Sequence, residues 1–161
     1  MTGESGDLGD QDLTRILDTV EFHDAYRISY LANAIVIPGY DAVKREFGLS
    51  RGEYLLLLCL SHFPVLTAQD VAKMTRRPRN SISRAVHRML AEGFIERARD
   101  PVDGRQARLT ITPSGRDLHR RIADLLCRRQ EQVLGGLSGE ERHQLSDLLR
   151  KAALHAAELD E

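Results

Sequence analysis

Cysteine is scarce in this sequence, and long runs of apolar residues are missing. Only Cys59 and Cys127 occur among 161 residues, which is too few for the disulfide framework of a small secreted domain. Both lie in apolar helical patterns, so we expect reduced packing residues, with a redox-responsive role as an open alternative. The longest apolar run, Leu55–Leu60, is far shorter than the ~20 residues of a membrane span. No membrane partner is therefore expected.

The motifs of common enzyme classes and of secreted proteins are missing too. The N-terminal sequence MTGESGDLGDQDL is acidic and lacks the basic start and apolar core of a secretory signal, so we expect a cytoplasmic protein. No glycine-rich phosphate loop and no nucleophile elbow occurs. Cys59 and His62 with His23 could be imagined as a zinc site, but their spacing is not typical of one. We expect no enzyme, no cofactor and no metal.

Positive charge is concentrated in one part of the chain. The net charge of the whole sequence is only −1, yet residues 76–108 contain nine arginines and four acidic residues. Residues 1–24 have the opposite bias, with seven acidic residues and one arginine. A strongly basic segment in a nearly neutral chain indicates a local site for a polyanion.

Helical periodicity dominates the sequence, whose length suits a single domain. Pro38 followed by Gly39 should bend or interrupt the first long helix. The run Leu55–Leu60 is apolar nearly all round its helix, which predicts burial. The predicted helices span about 22–47, 50–61, 67–74, 78–92, 113–134 and 139–158.

Residues 67–92 have the pattern of a helix-turn-helix. A short helix begins with a capping signal at Thr67, a break of a few residues follows, and Pro78 suits the first turn of a second helix. One face of this second helix is apolar, from Ile82 to Leu90, and the other is polar. Such a helix can pack on one side and read base edges in the major groove on the other. The predicted groove residues are Arg79, Asn80, Ser81, Ser83, Arg84 and Arg88.

A β-hairpin is predicted directly after Gly93, where the apolar period changes from helical to alternating. Residues 94–99 and 108–112 can form the two strands, and the turn-rich segment 100–104 joins them. Arg105 lies close to the tip. The predicted fold is mainly α with a small β-hairpin wing, which is a winged helix-turn-helix (α+β) with dimerisation helices at both chain ends.

The local sequence of this region resembles the MarR family of winged-helix regulators. The resemblance is carried by Ser81–Arg84, Leu90–Arg97, Asp100–Arg105 and Leu109–Gly115, and the run DPVDGR before LTITPSG is its most specific part. It implies an obligate homodimer that binds double-stranded DNA at a palindromic operator, usually as a repressor. It also implies that the wing arginine, Arg105, enters the minor groove and is held there by Asp103.

A homodimer is also predicted from the residues of the last helix. Its apolar stripe is wider than one small chain is expected to cover, so helices at both chain ends of two copies can interleave. A two-fold symmetric dimer would then bind two DNA half-sites about one helical turn apart. The stripe comprises Leu145, Leu148, Leu149, Ala152, Ala153 and Ala156. The predicted division is a mobile acidic tail and lead-in at 1–21, dimerisation helices at 22–49 and 113–161, and the DNA-binding lobe at 50–112.

The resemblance further implies a pocket between the dimerisation helices and the DNA-binding lobe, often for aromatic or phenolic acids. Packing or surface roles are the alternative for each candidate residue. The candidates are His23, Tyr26, Arg27, Tyr30, Tyr54 and His62. The predicted function is a repressor released by such a ligand; the alternatives are a winged-helix protein-interaction module and a zinc- or redox-responsive regulator.

Overall fold

The computed structural model describes residues 12–104 and 107–159, and it is built mainly from helices. After a 3₁₀ turn at Leu13–Arg15, the elements are α1 (Ile16–Thr19), α2 (His23–Phe47), α3 (Arg51–His62), α4 (Ala68–Thr75), α5 (Arg79–Ala91), β1 (Ile95–Arg99), β2 (Ala107–Ile111), α6 (Pro113–Leu134) and α7 (Gly139–Glu158). The predicted class, helical with one small hairpin, is confirmed. None of the helices in the described ranges is both long and apolar enough to cross a membrane.

Side-chain caps explain where three of the helices begin. The side-chain oxygens of Ser50, Thr67 and Ser138 each accept a hydrogen bond from the backbone N–H three residues later, at the starts of α3, α4 and α7. In each case the acidic residue at that later position accepts the N–H of the capping residue in return. These capping boxes satisfy backbone donors that the first helical turn leaves without partners. They fix the first residues of α3, α4 and α7.

Of the two effects predicted for Pro38, the interruption of the first long helix does not occur, and the bend stays a prediction. Helix α2 runs without interruption from His23 to Phe47, and Pro38 lies inside it. Its N-terminus is tied to the lead-in segment, because Arg27 donates to the Leu17 carbonyl over 2.9 Å and to Asp18 over 2.6 Å. Leu17 and Asp18 are therefore held against α2, whereas residues 1–11 of the predicted tail and lead-in at 1–21 lie outside the described residues.

The core is centred on α3. Leu56, Leu57 and Leu60 are completely or almost completely buried there, as the run of apolar residues predicted. Helix α5 covers them with Ile82 and Met89. Other elements close the remaining sides with Val43, Ile95, Leu109 and Ile122. Helix α5 is thus held by one face, which leaves its opposite face in solvent.

The hairpin joins this core at its base. Strands β1 and β2 pair antiparallel from Ile95 opposite Ile111 to Arg99 opposite Ala107. Gly93 has a φ of 74° and ends α5, because its N–H and that of Phe94 return to the Leu90 and Met89 carbonyls. The buried start of the hairpin is therefore fixed to α5, and its outer half projects from the core.

Candidate nucleic-acid interface

Helix α5 presents a polar surface opposite its buried face. Arg79, Asn80, Ser83 and Arg84 are exposed, while Ile82, Ala85, Val86 and Met89 face the core. These four exposed residues lie in the first turns of the helix, which is the part of a recognition helix that reaches base edges. The structure thus brings four of the six predicted groove residues together on one accessible surface.

Arg79 and Arg84 on this surface have no acidic partner among the described residues. Arg79 makes no hydrogen bond or ion pair within the described ranges, and Arg84 donates only to the carbonyl of Asn80, over 3.4 Å. The first turn of α5 contains no acidic residue, and Pro78 provides no side-chain cap. Cations at a helix N-terminus meet the positive end of the helix dipole, which is unfavourable until an anion approaches. This end of α5 is electrostatically suited to a polyanion.

Ser81 and Arg88 differ from their predicted orientation. Ser81 is half-buried against α3, and a Cβ added at Gly52 would lie 3.3 Å from its hydroxyl. Arg88 donates to the Gly48 carbonyl over 2.9 Å and to the Glu53 carboxylate over 2.8 Å. Glu53 itself is buried, with 7% of its surface exposed. Both side chains therefore contact α3, while 45% of the Arg88 side chain stays exposed, and their roles as groove residues stay predictions.

A cleft beside α5 adds residues that the sequence reasoning missed. It lies between the start of α4, the outer face of α5 and the hairpin, and Gln69, His87 and Arg97 line it. Arg97 is exposed and has no ion-pair partner in the described part of the chain. The available sequence signal was the arginine-rich segment 76–108, which includes Arg97 and Arg99; in β1 only Ile95 is buried, and the four residues after it are exposed. This cleft, with the cation of Arg97 on its wall, extends the surface from α5 towards the hairpin.

Asp100 braces the hairpin loop. Its carboxylate accepts the N–H groups of Val102 and Asp103 over 2.8 and 3.1 Å, and the guanidinium of Arg108 over 2.8 Å. The hydrogen bond from Arg108, followed by those two N–H groups, lowers the pKa of Asp100 to about 2. Asp103 lies exposed in this braced loop. Arg105, the predicted minor-groove arginine, lies outside the described residues, so its pairing with Asp103 stays a prediction.

The candidate ligand residues fall into two groups. The first group, His23, Tyr26, Arg27 and Tyr30, lies in the N-terminal half of α2, where the Tyr26 and Tyr30 rings are 6.5 Å apart. The guanidinium of Arg27 is already bound by the carboxylates of Asp18 and Asp24. Its charge is compensated, so the cation that this group was expected to offer to an acidic ligand is engaged within the protein.

Tyr54 and His62 belong to a second group, an aromatic cluster with Tyr40 and His119. The Tyr54 ring lies 5.9 Å from Tyr40 and stacks on His119 at 6.4 Å, and His119 meets His62 edge-on at 6.1 Å. Burial raises the pKa of Tyr54 to about 12, so its hydroxyl stays a neutral donor. Burial, with the nearby charges of His62 and Arg116, lowers the pKa of His119. Sequence reasoning missed Tyr40 and His119 because they come from α2 and α6, far from α3 in the chain.

The described residues do not assemble a metal site. No group of three or more His, Cys, Asp or Glu side chains within 12–104 and 107–159 has the arrangement to hold a metal ion. Cys59 is buried, and burial raises the pKa of its thiol, whereas Cys127 is exposed. The imagined zinc site of His23, Cys59 and His62 is therefore not formed in this structure.

Comparison with known proteins gives consistent matches. A family model described as MarR family matches residues 47–106. The HTH-type transcriptional regulator BilQ of Clostridium symbiosum is 32% identical over 104 residues, which cover 65% of this chain and 72% of that protein. The HTH-type transcriptional repressor Mb2911 of Mycobacterium bovis is 23% identical, covering 76% of this chain and 88% of that protein. The crystal structure of the transcriptional regulator SlyA superimposes with a TM-score of 0.72 at 27% identity, covering 84% of this chain and 94% of that one.

Proposed function

The chain belongs to the MarR family of winged-helix DNA-binding transcription regulators, and we propose that it acts as a dimeric repressor. A small aromatic acid is proposed to release this dimer from a pseudo-palindromic operator. The observation that carries the DNA-binding part is the exposed arginine surface of α5, whose charges have no partner in the described protein. Arginine can bind the O6 and N7 atoms of guanine with two hydrogen bonds. Arg79 and Arg84 are therefore proposed to read bases, with Asn80 and Ser83 beside them.

The proposed repressor role and dimer rest on further observations. The similar protein Mb2911 is named as a transcriptional repressor. Helix α7 has no buried residue in the single chain, and Leu148, Leu149 and Leu154 each expose roughly half or more of their surface. A second copy of the chain is proposed to cover them, together with the exposed apolar residues of α2. Two α5 helices would then reach successive major grooves.

Substitution of the α5 arginines tests DNA binding. We expect Arg84→Ala and Arg79→Ala to weaken binding to the DNA that flanks the protein's own gene, measured by fluorescence anisotropy. One lost base contact costs about 1–3 kcal/mol and a dimer loses two, so affinity should fall by at least about tenfold. Arg120→Ala is the control, because Arg120 is an exposed α6 cation that pairs with Asp117. Equal affinities for all four proteins would contradict the proposal.

The aromatic cluster is the proposed effector site. Tyr54 offers a neutral hydroxyl donor, and the rings of Tyr40 and His119 offer faces for stacking against an aromatic ligand. The cluster joins α2, α3 and α6, so a ligand there would contact both the dimerisation helices and the lobe. A ligand that binds more tightly to the form with misplaced α5 helices would weaken operator binding.

A panel of benzoate and 4-hydroxybenzoate tests this site. We expect at least one of them to raise the melting temperature and to weaken operator binding, since a ligand of the folded state stabilises it. Tyr54→Phe should reduce both effects, whereas Tyr30→Phe, in the first ligand group, should leave them intact. If Tyr30→Phe reduced both effects and Tyr54→Phe left them intact, the ligand would bind at the N-terminal half of α2 and not at the aromatic cluster. No response to either acid would refute the proposed effector class.

A further inference from the structure

Pro38 leaves a carbonyl of α2 without its helical partner. In a regular helix the Ala34 carbonyl would accept the N–H of residue 38, which proline lacks, and the proline ring also crowds that carbonyl. Helix α2 nevertheless continues through Pro38 to Phe47. Some other group must therefore satisfy the Ala34 oxygen, because a half-buried carbonyl without a donor is unfavourable.

Arg129 of α6 supplies that group. Its Nε and Nη2 atoms donate to the Ala34 oxygen over 3.1 and 2.7 Å, and both residues are half-buried. Two donors of one guanidinium thus converge on one carbonyl. The contact joins positions 95 residues apart in the chain, so it links the two long helices directly at the proline.

Gly39 adds a second point of contact at the same step. It is buried, and a Cβ placed on it would lie only 2.8 Å from the Leu126 side chain. Leu126 and Arg129 are three residues apart and so lie on one face of α6. Leu126 fills the space beside Gly39, and Arg129 binds the carbonyl of Ala34 that Pro38 leaves without a donor. We call this contact the proline clamp; it comprises Ala34, Pro38 and Gly39 with Leu126 and Arg129.

The proline clamp lies at the boundary between two parts of α2. The buried residues of α2, Gly39 and Val43, both follow Pro38, and this half packs into the core. The half before Pro38 is largely exposed and carries apolar side chains such as Ile28 and Ile37, with 56% and 55% exposure. The clamp thus sits between the proposed dimerisation surface and the DNA-binding lobe.

We propose that Arg129 is a positioning residue for operator binding: it fixes the angle between the two halves of α2 and thereby the separation of the two α5 helices in the dimer. This inference rests on the proposed function. A helix that has lost a hydrogen bond at proline bends easily, and a bend at this boundary would move one lobe relative to the other. While Arg129 is bound to the Ala34 carbonyl, the two α5 helices of the dimer stay at a fixed separation.

A double-mutant cycle tests the clamp itself, without DNA. Pro38→Ala restores an N–H for the Ala34 carbonyl, so Arg129→Ala should lower the urea unfolding midpoint markedly in the natural background and much less in the Pro38→Ala background. Arg128→Ala, an exposed neighbour on α6 without a partner among the described residues, is the control and should behave alike in both. Equal effects of Arg129→Ala in the two backgrounds would overturn the clamp. Arg129→Lys, which offers one donating nitrogen in place of two, should be intermediate and serves if Arg129→Ala does not fold.

Operator spacing tests the positioning role. The natural protein should bind operators with one or two added base pairs between half-sites at least tenfold more weakly than the natural spacing. Arg129→Ala, or Arg129→Lys in its place, should reduce this discrimination at least threefold. Adding Pro38→Ala to the Arg129 variant should restore the discrimination. The control Arg128→Ala should leave it unchanged. Unchanged discrimination in the Arg129 variants would overturn the positioning role. Failure of the natural protein to bind any operator would instead refute the proposed function, and the unfolding cycle would still report on the clamp.

Discussion

The pair of Glu53 and Arg88 shows how a single residue can serve fold and site together. Glu53 caps α3 by accepting the Ser50 N–H over 2.7 Å, and the same oxygen accepts Arg88 of α5 over 2.8 Å. Arg88 also binds the Gly48 carbonyl at the end of α2. Glu53 and Arg88 together therefore connect three helices. We infer that this pair sets the depth at which α5 sits on the core.

Neutralising this carboxylate should be costly. Glu53→Gln keeps the shape but removes the charge, and a hydrogen bond to a charged group contributes about 1.5–3 kcal/mol. Because 45% of the Arg88 side chain is exposed, we expect a loss near the lower end, about 1.5 kcal/mol, in urea unfolding. The matched control is Glu131→Gln, which breaks a pair with Arg142 at a carboxylate that is 59% exposed. A surface pair of that kind contributes under about 1 kcal/mol, so equal losses would contradict the structural role of Glu53.

At the scale of elements, the hairpin and α6 are closely packed where they join. Thr112 caps α6 by accepting the Gly115 N–H, and its hydroxyl also donates to the Gly93 carbonyl over 2.8 Å. Its backbone N–H donates to the Phe94 carbonyl. A Cβ placed on Gly115 would lie 2.0 Å from that same carbonyl. Only glycine fits there, and the hairpin base is held to both α5 and α6.

Gly115→Ala should therefore displace the hairpin base. The atom in the way belongs to the backbone and cannot rotate aside, so we expect a loss of about 1–3 kcal/mol in thermal unfolding. Gly139→Ala is the control, since Gly139 also lies in the first turn of a helix but has open space around its Cβ position. That variant should stay within about 0.5 kcal/mol of the natural protein. A stable Gly115→Ala protein would show that the junction can yield.

The elements could largely be predicted from sequence, whereas several side-chain roles could not. Helix caps, the Gly93 stop and the strand alternation depend on neighbours a few residues away, so a local pattern contains them. The direction of Ser81 and the partner of Arg88 depend on α3, which lies tens of residues earlier. Likewise, Pro38 predicted a bend or an interruption, and the helix continues there with the help of Arg129, which is 95 residues away in the chain. Tertiary contacts decide such positions, and a single sequence does not display them.

At the scale of the whole molecule, exposed apolar residues lie on α7 and on the half of α2 before Pro38. Arg76, in the turn before α5, donates to the Ala156 carbonyl near the end of α7. The helix that carries the proposed dimer surface thus also contacts the helix-turn-helix. We infer that dimer geometry and the placement of α5 are coupled.

The central claim is that this chain reads DNA as a dimer with two separate α5 helices. It is tested most directly by titrating the protein against its operator and against one isolated half-site, with the stoichiometry measured by analytical ultracentrifugation. We expect two chains per operator, protected half-sites about one helical turn apart, and binding to the half-site at least about a hundredfold weaker than to the operator. One chain bound with equal affinity to the operator and to the half-site would contradict this claim.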